Sequence, residues 1–223
     1  MTTKLPVGAP VGDSSPAGRP RETEYDGRRV ALSPLRRELA AGRVEGLVGE
    51  LYSASHGDPE SESLWTYMAY GPFADREAML AWMEHCAASS DPLFLVVRDK
   101  QSRTAVGMAS FLNVKPEMRC LELGHIWYVP GAQGTGVNTE ATYLMLREAF
   151  ELGYRRVEWK CDSLNQRSRR AALRLGFTFE GVFRQHMITK GRNRDTAWFA
   201  MLDGEWPSAK QRLEQAIHSA FVS

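Results

Sequence analysis

Residues 122–153 read ELGHIWYVPGAQGTGVNTEATYLMLREAFELG, and the fold follows from how this stretch divides. A strand-like apolar run from Leu121 to Val129 is stopped by Pro130. A loop follows, Gln133-Gly134-Thr135-Gly136-Val137-Asn138, and then a helix begins. In that helix Ala141, Leu144, Met145, Ala149 and Leu152 keep a period of about 3.6 residues, and Gly153 is a suitable terminator. A glycine-bearing loop that runs straight into a helix is a device for holding phosphate. The first turn leaves backbone N–H groups unpaired, the helix dipole adds partial positive charge, and glycine lets the backbone approach the anion closely. The loop lacks the Gly-Lys-Ser/Thr ending of a Walker loop. Thr139 stands where a dinucleotide fingerprint would have its third glycine. An ordinary strand–loop–helix joint with no ligand is the plain alternative.

Outward from this stretch the chain alternates strand and helix signals. Arg29 to Ser33 reads as a first strand. Leu35 to Tyr52 reads as a helix that Gly42, Gly46 and Gly49 weaken, so that a break into two pieces is expected. Ser53 to Ser63 reads as a polar loop. The aromatic segment from Leu64 to Phe73 either packs in the core or walls a pocket. Asp75 is placed to cap a helix on which Met79, Trp82, Met83 and Cys86 share a face. Leu93 to Arg98 and Thr104 to Val114 form a hairpin. Beyond the central helix come a strand from Arg155 to Cys161, a helix from Asp162 to Leu175 ended by Gly176, and a hairpin of Phe177 to Thr189 with Arg194 to Met201. A helix from about Trp206 to Phe221 closes the chain. A strand–helix–strand unit places two parallel strands side by side. The expected class is therefore α/β, with a mixed, mostly antiparallel sheet.

The chain has 223 residues, 43% of them apolar and 25% charged, enough for one sizeable core. Residues 1–24, rich in Pro, Gly and Ser, read as a disordered tail ahead of a single domain at 25–223. A net charge of +1 argues against a dedicated nucleic-acid binder. Charge is uneven, however: residues 155–194 hold 11 Lys or Arg against 3 Asp or Glu. That suits a polyanionic ligand, or simply a solvated surface. Cys86, Cys120 and Cys161 form no metal spacing and read as buried reduced thiols. No apolar run approaches the ~18 residues of a membrane span, and the amino terminus carries no signal core. A cytoplasmic protein with no metal, no membrane and no nucleic-acid partner is expected.

The run Gln133-x-x-Gly136-x-Asn138 resembles the acyl-CoA pyrophosphate loop of the GNAT superfamily of N-acyltransferases, Gln/Arg-x-x-Gly-x-Gly/Ala, with Asn138 departing at the last position. From about Arg28 onward the chain resembles the branch containing the bacterial ribosomal-protein N-terminal acetyltransferases. Asn165-Gln166-Arg167-Ser168 is similar to that branch's Asn-x-x-Ser. Leu175-Gly176-Phe177 with Glu180-Gly181, Arg194-Asp195 and the closing Glu205-Trp206 also match. The resemblance implies a GNAT fold, with a splayed parallel strand pair and helices on both faces of the sheet, and acetyl-CoA as cosubstrate. It implies pantetheine pairing with Ile126, Trp127 and Tyr128. Pyrophosphate would lie on Gln133, Gly134, Thr135, Gly136, Val137 and Asn138, with Asn165 and Ser168 beside the thioester.

An amine attacks a thioester only when neutral, so a base is needed; backbone N–H groups can hold the oxyanion, and a hydroxyl can protonate the departing thiolate. Glu122 is the candidate base, or else a strand carboxylate in an ion pair. His125 is the rival, placed by period 2 on the opposite face, so that the two should not line one wall. Many GNAT enzymes use a tyrosine seven residues after the asparagine. That position is Ala172 here, which leaves Ser168 as the acid or as a small packing residue. The expected function is acetyl transfer from acetyl-CoA to a primary amine, either a protein N-terminus or a small molecule. A non-catalytic acyl-CoA sensor is the alternative, and a phosphate-nucleotide enzyme is a distant third. A homodimer is compatible with the sequence but not demanded by it.

Overall fold

Strand segments rich in Val, Leu and aromatic residues build one sheet of eight strands, in a computed structural model that describes residues 5–42 and 44–219. The chain runs β1 (Tyr25–Asp26), β2 (Val30–Pro34), α1 (Leu35–Ala40), α2 (Val44–Ser55), α3 (Pro59–Ser63) and α4 (Arg76–Ala88). It continues with β3 (Leu93–Asp99), β4 (Thr104–Lys115), β5 (Cys120–Tyr128), α5 (Val137–Glu151), β6 (Arg156–Asp162), α6 (Gln166–Leu175), β7 (Thr178–Thr189), β8 (Arg192–Leu202) and α7 (Trp206–Ser219). The spatial order is β1-β2-β3-β4-β5-β6-β8-β7. Every neighbouring pair is antiparallel except β5 with β6. This is the expected mixed α/β sheet, with helices on both faces.

Several boundaries move for local reasons. The expected break in the first helical region occurs at Gly42, whose φ is +68°. The stretch read as a polar loop from Ser53 is partly helical. α2 runs on to Ser55, and Asp58 then caps α3, accepting the Glu60 and Ser61 N–H groups ahead of Pro59 at the first helical position. α6 starts at Gln166 rather than Asp162, because the Asn165 side chain accepts the Ser168 N–H and fixes the helix start there. Leu164 therefore lies outside the helix and is exposed. The β7–β8 turn takes only Lys190 and Gly191, with φ of +50° and +72°. That is the doubly left-handed turn whose twist suits a two-residue hairpin. The closing helix is described as far as Ser219, so the expected extension to Phe221 falls outside the described residues.

Two features seat the central unit. Gly107 lets β4 close on β5, since a Cβ there would lie against the Trp127 carbonyl oxygen and the Tyr128 ring. α5 is fixed along its length to the start of β2 and to residues that precede it. The Glu140 carboxylate accepts the backbone N–H groups of Arg28, Arg29 and Val30. Two turns further along, the Glu148 carboxylate takes Arg21 through the guanidinium and the backbone N–H. Burial alone would push the Glu148 carboxyl up, but the Arg21 hydrogen bonds and charge outweigh it and hold the group below its ordinary value. The segment expected to be disordered thus lies along the body in part. Ala17 N–H donates to the Pro116 carbonyl, Gly18 N–H to the Leu152 carbonyl, and the Arg119 guanidinium donates to the Asp13 carbonyl.

Candidate active site

The parallel pair is short. β5 and β6 pair from Cys120 with Arg156 to Leu123 with Trp159 and then part. β6 continues to Asp162 against β8, and β5 continues to Tyr128 against β4. A cavity of about 460 Å³ lies in the gap, with walls from both faces of the sheet. On its β6 side, therefore, the last part of β5 has no strand partner among the described residues. Val129 N–H donates to the Val106 carbonyl on the β4 side, so strand alternation turns the Tyr128 N–H and carbonyl toward the open side. There the Gln133 side-chain amide donates to the Tyr128 carbonyl at 2.9 Å. Of the expected pantetheine triplet, Ile126 lines the cavity, whereas the Trp127 and Tyr128 side chains are buried away from it.

Glu122 is buried on the cavity wall. Its Oε2 accepts from Asn113 Nδ2 at 2.8 Å and pairs with Lys160 Nζ at 2.9 Å, while Oε1 accepts no hydrogen bond among the described residues. Lys160 is also 2.8 Å from Glu158 Oε2, and its Nζ stands 3.7 Å above the centre of the Trp198 ring. Burial works against the lysine's charge, but the Glu122 and Glu158 carboxylates outweigh it and hold Lys160 above the ordinary lysine value. The ammonium is therefore present throughout the neutral range.

His125 lines the cavity and packs on Phe94, which the register through Ser110 to Gly124 puts on the Glu122 face, and this corrects the expectation that the two face opposite ways. The cause is a β-bulge. Between the Met108–Trp127 and Ser110–Gly124 pairs, β5 has one residue more than β4, and His125 takes a φ of +50°. The extra residue breaks the period-2 alternation. The imidazole lies 4.8 Å from the Phe94 ring centre and 5.7 Å from that of Tyr70, with Nδ1 3.3 Å from the Tyr70 hydroxyl. Burial lowers its pKa to about 4, so the ring is neutral at neutral pH and a poor proton acceptor. The unfolded chain takes up this proton near pH 6.5 and the folded chain only near 4. Stability contributed by neutral His125 is thus complete above pH 6.5 and is lost on acidification toward pH 4, a change on the order of 3 kcal/mol. Denaturant unfolding across that window should show the loss, and His125→Gln should flatten it.

Ser168 occupies the opposite wall, in the first turn of α6. Its Oγ accepts from Trp159 Nε1 at 3.0 Å, so the hydroxyl proton is left to donate, with the Cys161 sulfur one partner within its reach. Asn165 also lines the cavity, but its side-chain oxygen is committed to capping α6. Ala172 is fully buried and contributes nothing to the cavity.

The glycine loop lies beyond the end of β5 and outside the cavity lining. Gly134 and Gly136 have φ of +76° and +91°, values that favour glycine. A Cβ on Gly134 would meet nothing within 4 Å. The loop is braced from behind: Thr135 Oγ1 donates to the Ala132 carbonyl, and Arg29, itself paired with Asp99, donates to the Thr135 carbonyl. The helix starts at Val137, so Val137 and Asn138 form its first turn instead of ending the loop. Among the described residues no side chain caps that start, and the first-turn N–H groups stay available to an anion.

Sequence reasoning missed Asn113, Lys160 and the Tyr70 contact. A lysine inside the strand Val157-Glu158-Trp159-Lys160-Cys161 was the available signal, since a half-buried lysine needs a partner. The basic segment is partly spent internally, with Arg156 held by Glu158 and Glu180. Among the described residues no cluster of His, Cys, Asp and Glu could hold a metal, and no helix is long and apolar enough to cross a membrane.

The family model described as an acetyltransferase (GNAT) domain matches residues 43–178. The crystal structure of a GCN5-related N-acetyltransferase from Brucella melitensis superposes with a TM-score of 0.85 at 39% identity, covering 92% of this chain and 90% of that one. YdaF of Bacillus subtilis, provisionally named a ribosomal N-acetyltransferase, is 31% identical over 105 residues, 47% of this chain and 57% of YdaF. The ribosomal-protein-serine acetyltransferase of Escherichia coli is 29% identical over 94 residues, 42% of this chain and 50% of that protein. The chain spans about half the length of the curated relatives it matches.

Proposed function

This chain belongs to the GNAT acetyltransferase family, and from that premise we propose that it transfers an acetyl group from acetyl-CoA to a primary amine. The observation that supports this best is the single stretch on which an unpaired strand edge is followed by an uncapped helix start. The residues fit such a cosubstrate. The Ile126 to Tyr128 edge can pair with an amide-bearing arm, and the Gly134 to Asn138 backbone can take a diphosphate. Acetyl-CoA supplies the acetyl thioester.

The chain's own residues then divide the work. Glu122 Oε1, with no hydrogen bond of its own among the described residues, accepts the proton of the incoming amine directly or through one water. Lys160 and Asn113 hold the other oxygen and so fix the carboxylate's orientation. As the N–C bond forms and the C–S bond breaks, backbone N–H groups of the open β5 edge stabilise the negative oxygen. The Ser168 hydroxyl donates to the departing sulfur, its position set by the Trp159 indole N–H. Neutral, wedged His125 shapes the wall without taking the proton. The names of the curated relatives point to ribosomal proteins as acceptors, for which a protein N-terminus is the amine we propose, and a small-molecule amine is served by the same chemistry.

Calorimetric titration with acetyl-CoA, followed by thiol release against amines and short peptides, tests the reading. Binding at micromolar acetyl-CoA with release on one acceptor class is expected. An absence of binding would sink it, and binding without release on any acceptor would favour a sensor.

A further inference from the structure

The cations of the cavity are unequally served. Lys160 is shared by two carboxylates. Arg194, on β8, lines the same cavity, yet among the described residues its guanidinium makes no ion pair and no hydrogen bond, and its Nε is buried without an acceptor. The nearby carboxylates are engaged elsewhere. Asp195 accepts from Gln185 N–H and Asn193 Nδ2, and Asp162 from Leu164 N–H. Four residues along the strand, the Trp198 indole N–H is also buried without an acceptor. Strand alternation puts Arg194, Thr196 and Trp198 on one face, and all three line the cavity. Thr196 Oγ1 is already 2.9 Å from His186 Nδ1, so the two orphan donors are the arginine and the indole.

A buried donor left without an acceptor is costly and calls for a partner, and where it belongs to a cation that lines a cavity an anionic ligand is one that would supply it. A guanidinium with no acceptor of its own, on the same cavity-lining strand face as an indole N–H, offers several donors, no acceptor and one positive charge, which matches a carboxylate. We propose that Arg194 and Trp198 bind a carboxylate on the acceptor, so that the favoured substrate is an amine that also bears an acid, as in an amino acid or an acidic amino-terminal peptide. This rests on the acetyltransferase reading above. The polarity is consistent with it: Glu122, on β5, meets the amine end, and Arg194, on β8, meets the acid end. A polyamine would set a second cation against Arg194.

The test compares acceptors that differ only in the acid, by thiol release with the full chain. One arm sets free amino acids against their amides, and a second sets short peptides with Asp at the second position against the same peptides with Asn. At least about tenfold higher kcat/KM for the acid form is expected in one arm, and that arm identifies the source. Arg194→Met should bring the ratio close to one. Trp198→Phe, which keeps a ring beneath Lys160, should lower it through KM with kcat little changed. A ratio near one in the native chain, or a ratio that survives in Arg194→Met, overturns the proposal. If no acceptor is turned over, the same pairs are titrated as N-acetylated ligands into the chain with coenzyme A. Acid preference lost in Arg194→Met supports the proposal, and equal affinity or no binding overturns it. Failure of acetyl-CoA itself to bind is read separately and strikes the acetyltransferase reading.

Discussion

Gly136→Val is expected to weaken acetyl-CoA binding by about 100-fold or more while the chain still folds. The residue stands at the start of α5 with a φ of +91°, a conformation that a β-branched side chain adopts only under strain. Relief of that strain rotates the peptide groups that lead into Val137 and Asn138. The N–H groups available to a diphosphate then no longer point together. Loss of two charge-assisted hydrogen bonds at about 1.5–3 kcal/mol each corresponds to two or more orders of magnitude in affinity. The rest of the helix is held independently through Glu140 and Glu148, so the damage should stay local. Calorimetry reports the affinity and thermal unfolding the fold. Affinity within fivefold of the native chain would show that the loop is not the phosphate cradle.

Ser168→Ala should act on turnover instead. On the proposed mechanism the substitution removes the donor to the departing sulfur, and a decrease in kcat of about 100-fold is expected, in the usual range for one general acid–base group. Acetyl-CoA affinity should change less than about threefold. A secondary effect follows from the Trp159 indole, which loses its acceptor at 3.0 Å, and an orphaned part-buried donor costs on the order of 1–3 kcal/mol. Assay and melting curve must therefore be measured on the same preparation. A kcat within twofold of native, with the expected drop in stability, would make Ser168 a packing residue and return attention to Glu122.

The central unit was legible because each of its signals is local. A proline stops the strand, glycines set the loop, and a 3.6-residue period marks the helix within one continuous stretch. The cap at Asp58-Pro59 was equally local but lay inside a run of Ser and Glu that reads as loop by composition. The site was legible only in part, because its geometry is non-local. Whether Glu122 and His125 share a wall depends on one extra residue in β5, and a bulge leaves no mark on hydrophobic alternation. The partners of Glu122 come from β4 and β6, two strands that the sequence keeps far apart. Lys160 could be noticed as a lysine in a strand, but not assigned to Glu122. Arg194 was visible as half of an Arg-Asp pair, whereas the absence of an acceptor for it emerges only when the cavity walls are assembled.

The contact between Arg21 and Glu148 also bears on where this domain begins. A chain trimmed to start at Tyr25 would retain every strand and helix described here, and by secondary structure it would count as whole. It would nonetheless leave the Glu148 carboxylate, 2% exposed, without the guanidinium that neutralises it. It would also lose the Ala17 and Gly18 hydrogen bonds that hold the arm to the Pro116 turn and the end of α5. For anyone shortening the protein for crystallisation or appending a fusion partner, the safe cut lies ahead of Asp13. That boundary is drawn by the hydrogen bonds of the arm together with the Arg21–Glu148 ion pair, and not by the first residue of regular structure.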